Sequence, residues 1–125
     1  MTATLTLTTA HSSLLTLNQR LHRMESARRT KLLRNQGAMV VRSMRPEPMQ
    51  RAHLTVTVSW PDGRRRDVHN LLPTIKGHID GMVTDGGLLP DDDDKHLIGP
   101  DLRVSDERAI SGTVRLVYVF EEVTP

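Results

Sequence analysis

The chain has no cysteine, so disulfide bridges and thiolate metal sites are excluded. Aromatic residues make up only 2% of it, namely Trp60, Tyr118 and Phe120. The core must therefore be aliphatic, and a row of exposed aromatics for stacking nucleic-acid bases is not available. No apolar run approaches the length of a membrane span, and no charged-then-apolar leader opens the sequence. No Walker, dinucleotide or G-x-S-x-G pattern occurs, which leaves nucleotide hydrolysis and serine catalysis without support. The six histidines show no H-E-x-x-H or other zinc spacing. These absences lead us to expect one soluble, cytoplasmic domain over residues 1–125, with an aliphatic core and no membrane partner.

What is present is an uneven charge. Residues 1–66 hold twelve Arg/Lys against three Asp/Glu, whereas residues 67–125 hold five against twelve; these balances of +9 and −7 give the net +2. A basic half suits a polyanion, and most of its charges would serve equally as a solvated face. Arg20 and Arg23 in a polar loop, and Arg28 and Lys31 on a helix, are the candidates for phosphate contact, with Arg64, Arg65 and Arg66.

The alternation in Leu5–Thr9 predicts a first strand, and His53–Trp60 and Thr113–Phe120 predict two more. Lys95–Val104 predicts a short irregular strand broken at Gly99–Pro100. Ser26 is the expected N-cap of a helix running to Met44, with Leu33, Gly37, Val40, Val41 and Met44 on the apolar stripe. Arg28, Lys31, Arg42 and Arg45 fall on its opposite side. Asn70 is the expected N-cap of a second helix, with Pro73 in its first turn and Gly86-Gly87 at its end. Ile75, Ile79, Met82 and Val83 form its buried stripe, and Lys76 and Asp80 sit one turn apart on a flank. The order β-α-β-α-β-β reads as an α/β (α+β) domain, a small mixed sheet packed by two main helices.

Two segments carry the chemistry. Arg64-Arg65-Arg66-Asp67-Val68-His69-Asn70 sets three arginines beside a carboxylate, an imidazole and an amide. Asp91-Asp92-Asp93-Asp94 supplies adjacent carboxylates after the second helix, whose turnaround would return them to Asp67. Carboxylates converging from two segments suit a hard cation such as Mg²⁺, and neighbouring arginines would hold the phosphates it acts on. A solvated acidic loop is the blander meaning of the same run, and with Lys95 it also matches a protease-cleavage tag, although its mid-chain position argues against a scar. His69 stands two residues from Asp67, so both could face one ion if the backbone is extended.

Taken together, the segment from Arg64 to Leu71, Lys76 to Asp80, and Gly87-Leu88-Leu89-Pro90-Asp91-Asp92 resemble the RusA family of Holliday junction resolvases, typically encoded by phages and prophages. The match covers residues 54–98 well, the last strand loosely and the first fifty residues weakly. The resemblance implies a homodimeric, Mg²⁺-dependent endodeoxyribonuclease that cuts a four-way DNA junction by paired symmetric nicks, in recombination, repair or phage DNA processing. If phage-encoded, it would work in the bacterial host cytoplasm. The resemblance assigns the first essential aspartate to Asp67, the late catalytic aspartate to Asp92 with Asp91 beside it, and an important lysine to Lys76. The last assignment requires three residues inserted after Asn70, which rotates the helix face by roughly 60°. His69 stands where the family usually has a second aspartate. An imidazole suits Mn²⁺ better than Mg²⁺ and brings no negative charge. Asp80, Asp91 and Asp93 are the candidates to replace it. The alternative is a non-catalytic junction- or DNA-binding protein whose metal site has eroded at His69.

Overall fold

The computed structural model describes residues 1–124. Four strands form one mixed sheet in the order β1-β4-β2-β3, where β1 is Thr2–Ala10, β2 Ala52–Ser59, β3 Leu97–Val104 and β4 Thr113–Glu122. Strand β4 is central and antiparallel to both β1 and β2, and β3 pairs parallel to β2 at the far edge. The expected order of elements is therefore observed, and each predicted strand is present, somewhat longer or shifted at its ends.

Alternation puts one face of the sheet inside. Ala3 and Leu5 of β1, Leu54, Val56 and Val58 of β2, and Leu116, Tyr118 and Phe120 of β4 are buried, while Thr2, Thr4, Thr6 and Thr8 are exposed. Helices α1 (Arg23–Met44) and α2 (Leu72–Asp80) cover the buried face, α2 continuing as a π-helical turn over Gly81–Asp85. Val41, Ile75, Ile79, Met82 and Val83 join the sheet residues in one core. Two of the three aromatics, Tyr118 and Phe120, lie fully inside this aliphatic packing.

Four details differ from expectation. Helix α1 starts earlier, because His22 rather than Ser26 caps it: its Nδ1 accepts from the Met24 N–H at 3.1 Å. Glu25 then sits in the first turn and binds both Arg28 and Arg29, which hold its carboxyl down to about 2. Met44 is exposed, and Ala38 takes a place on the buried stripe instead. The second helix is preceded by a 3₁₀ turn, Val68–Leu71, capped by Asp67 and not by Asn70. Strand β3 is not broken at Gly99–Pro100. It absorbs the extra residue there as a bulge, since His53 pairs with Ile98 and Thr55 with Asp101.

The two helices cross closely because glycine faces backbone on both sides. A Cβ on Gly37 would lie 2.3 Å from the His78 carbonyl oxygen, and one on Gly81 would lie 1.9 Å from that of Arg34. Beside the crossing, Arg34 forks onto Asp85 through Nε and Nη2 at 2.6 and 2.9 Å.

Candidate functional site

The arginine-rich segment leaves the C-terminal end of β2 and is organised by Asp62. Its Oδ1 accepts from Arg66 Nη1 at 2.7 Å and from the Arg64 N–H at 3.0 Å. The Arg66 bond, and then the Arg64 amide, hold the Asp62 carboxyl down to about 2. Arg66 also lies over the Trp60 ring, 4.9 Å from its centroid, and Arg108 donates to the Asp62 carbonyl at 2.7 Å. Arg66 is thus engaged within the loop. Arg64 is 82% exposed, with its Nε 3.6 Å from Asp62, and Arg65 is exposed without an ion-pair partner among the described residues.

Asp67 and His69 form a local pair. Asp67 Oδ1 accepts from the His69 N–H at 2.9 Å and lies 3.1 Å from His69 Nδ1. The backbone bond, followed by the imidazole, holds the Asp67 carboxyl below the usual carboxylate range. Both side chains are exposed. The carboxylate that would bind an ion therefore also nucleates the turn leading into α2.

Lys76 is where the distant segments meet. Its Nζ contacts Asp92, sixteen residues away, and reaches Asp80 Oδ1 at 3.2 Å one turn along α2. The Asp92 carboxylate raises the Lys76 pKa, and Lys76 in turn lowers that of Asp92, so both are charged at neutral pH. The four aspartates divide their work. Asp91 Oδ1 accepts from the Asp92 N–H at 2.7 Å, Asp92 faces Lys76, and Asp93 Oδ1 meets His96 Nδ1 at 2.6 Å and the Lys95 N–H at 3.2 Å. Asp91 and Asp93 thereby shape the loop that enters β3, and Asp94 is exposed.

Topology explains which expected residues come together. Because β3 runs parallel to β2, with Leu97 beside Ala52, the aspartate run enters at the end of the strand pair opposite to the one the arginine loop leaves. The turnaround returns Asp92 to the flank of α2, at Lys76 and Asp80. It does not gather Asp67, His69, Asp91 and Asp92 into one donor set, and no three His/Cys/Asp/Glu side chains converge on a cation position among the described residues. The chemistry of the donors does fit a hard divalent cation: Asp67 and Asp92 are ionised and carry oxygen ligands, and His69 adds one imidazole nitrogen.

The remaining basic candidates lie apart from this flank in character. Arg20, Arg23, Arg28 and Lys31 are all exposed, and Arg28 is paired with Glu25 at 2.7 Å. Arg29, not among the candidates for phosphate contact, is half-buried and ties α1 to the preceding loop by donating to the Leu14 carbonyl at 2.8 Å.

A cleft of about 600 Å³ opens between the arginine loop and the loops that flank β1 and β4. Leu14, Trp60, Leu71 and Val114 line it with Arg64, Arg65 and Arg66, and Asp67 stands in its wall. His11, Asn18 and Ser111 also reach it. No local pattern marks these three, since the pairing of the 11–19 loop with α2 depends on bonds between distant positions. Thr74 Oγ1 donates to the Leu15 carbonyl and accepts its N–H, at 2.7 and 2.9 Å, and Leu17 N–H donates to the Asn70 carbonyl at 3.0 Å.

Comparison of the chain with protein-family models gives no match, and comparison with curated proteins gives none. No helix among the described residues is long and apolar enough to cross a membrane.

Proposed function

We propose that the protein is a metal-dependent, structure-specific endodeoxyribonuclease that resolves four-way DNA junctions by paired nicks, as its resemblance to the RusA resolvases implies. The observation that supports this most is the contact of Lys76 with Asp92. The resemblance draws on both residues for catalysis, and they meet in space despite the insertion that separates Lys76 from the Asp67 motif.

The resemblance draws Asp67 and Asp92, with His69 and Asp91, into one Mg²⁺ or Mn²⁺ site. Because the fold keeps the Asp67–His69 pair apart from Asp91 and Asp92, either pair would hold an ion only with water or DNA phosphate completing its shell. When bound, such an ion supplies an activated water and offsets charge on the phosphorus centre. Lys76, protonated and beside Asp92, stands ready to stabilise negative charge developing on a phosphate oxygen. Arg65 projects into solvent at the cleft without an ion-pair partner among the described residues. Arg64, held only by a long ion pair to Asp62 at 3.6 Å, can also turn to a backbone phosphate, whereas Arg66 holds the loop. Further contacts along the junction arms would come from Arg20, Arg23, Arg28 and Lys31, reading charge and not sequence. A homodimer would match the two-fold symmetry of the junction and deliver equal cuts.

A second reading, a non-catalytic junction-binding protein, is favoured by one observation. Asp67 is paired with His69 while Asp92 is paired with Lys76, so the carboxylates serve separate partners.

Labelled four-way junction incubated with Mg²⁺ or Mn²⁺, beside a linear duplex and the Asp67→Asn variant, separates the two. Symmetric nicks that vanish in the variant are expected, and a preference for Mn²⁺ would implicate His69. Junction binding without cleavage in either metal would select the second reading. Equal treatment of branched and linear DNA would reject both.

A further inference from the structure

The cleft beside Asp67 has a shape that duplex DNA does not need. At about 600 Å³ it falls within the range of small-molecule sites, and a double helix cannot enter it. Its apolar wall comes from Leu14, Trp60, Leu71 and Val114, the first and last two of which are buried side chains fixed by the core. Trp60 is held in place by Arg66, which is itself anchored on Asp62. Of these apolar residues Trp60 presents the most surface, and an apolar lining of this kind suits a planar ring.

The polar groups around that wall divide into two kinds. Arg64 and Arg65 are exposed cations at the mouth. The side-chain amides of Asn18 and Asn70 make no hydrogen bond among the described residues, although both line the cleft. An amide offers a donor and an acceptor side by side, the pairing that a nucleobase edge presents. A bare anion would leave the apolar wall and the amides unused, and a purely apolar ligand would leave the guanidinium groups unused.

We infer that this cleft binds one unpaired nucleotide, its base against Trp60 and the aliphatic wall, its base edge at Asn18 and Asn70, and its phosphate at Arg64 and Arg65. The low aromatic content excludes a row of stacking platforms but not a single pocket. The inference deepens the nuclease reading, and rests on it only for the source of the nucleotide, an opened strand at a branch point and not a free mononucleotide. Such a strand would pass Asp67 as it leaves the cleft.

Trp60 is the only tryptophan, so its emission reports the cleft directly. The full chain is titrated, in EDTA to prevent cleavage, with a short oligothymidylate, with thymidine monophosphate, with inorganic phosphate and with a duplex of equal charge. A saturable change in Trp60 emission is expected with the oligothymidylate, a weaker one with the mononucleotide, and none with phosphate. Arg65→Gln and Asn18→Ala, both at exposed positions, are each expected to weaken the oligothymidylate by about tenfold, the loss of one charged or paired hydrogen bond. Equal responses to phosphate and mononucleotide, to duplex and single strand, or to wild type and both variants would each overturn the inference. Junction cleavage by the same preparations is scored separately in Mg²⁺ and Mn²⁺. Nucleotide binding without cleavage would keep the pocket and remove the nuclease, and cleavage without nucleotide binding would do the reverse.

Discussion

His78 lies fully inside the molecule, with Nδ1 2.6 Å from the Tyr118 hydroxyl and Nε2 3.0 Å from Gln36 Oε1, to which Thr9 also donates at 3.3 Å. The network is satisfied when Nε2–H donates to Gln36 and Tyr118 donates to Nδ1, which requires a neutral ring. Burial pushes the His78 pKa down from 6.5 to about 3. An unfolded chain takes up this proton near 6.5, whereas the folded one does so only near 3. Stability contributed by this site is therefore full above pH 6.5 and falls as pH drops toward 3. Urea midpoints for wild type and His78→Gln between pH 7 and about 4 are expected to show a slope reduced in the variant, and parallel curves would refute the assignment. Lys76 calls for the opposite pattern. Being 60% exposed, it should contribute less than about 1 kcal/mol, so Lys76→Met should barely move the midpoint. Junction cleavage, by contrast, should fall by about a hundredfold in that variant if Lys76 stabilises the developing charge.

At the scale of elements, the helix crossing is the most constrained feature. Gly81→Ala forces a Cβ to within 1.9 Å of a main-chain oxygen, which no rotamer change can relieve. We expect a loss of about 3 kcal/mol, read by thermal or urea unfolding. Gly87→Asn, where nothing lies within 4 Å and φ is +72°, should cost under about 1 kcal/mol. The strands and the stripes of both helices were legible because burial imposes periods of two and 3.6 on aliphatic residues. The starts of the helices were not. Ser26 and Asn70 are better caps by residue type than His22, and Asp67 looked like a ligand, yet the backbone geometry assigns the caps to His22 and Asp67. The helix crossing was half legible, since Gly37 was placed on the stripe without its partner Gly81.

For the whole molecule, the charge asymmetry marks two segments, one basic and one acidic, and the fold sets them at opposite ends of the β2–β3 pair. Local spacing marks Lys76 and Asp80 as a helix pair and the aspartate run as possible ligands; the meeting of Lys76 with Asp92 depends on the return path after Gly87, which local pattern does not encode. The cleft escaped for a similar reason, because Leu14, Asn18, Trp60 and Ser111 come from four separate segments. The division of labour among the arginines was likewise hidden until Asp62 and Trp60 were seen to hold Arg66. Paired symmetric cutting requires two equal sites, so light scattering at micromolar concentration should give twice the 14.1 kDa chain mass, alone or on a junction. A chain-sized particle in both cases would leave the paired-cut mechanism without its second site.

The position of β4 has a consequence for how the protein is made. Strands β1 and β2 do not touch each other; each pairs with β4, which is translated after both. While the ribosome is still short of Thr113, β1 has no hydrogen-bonding partner in the sheet, and the inner faces of β1 and β2 have no Leu116, Tyr118 or Phe120 between them. Only the β2–β3 pair can form before then, and β1 joins the sheet when the central strand emerges.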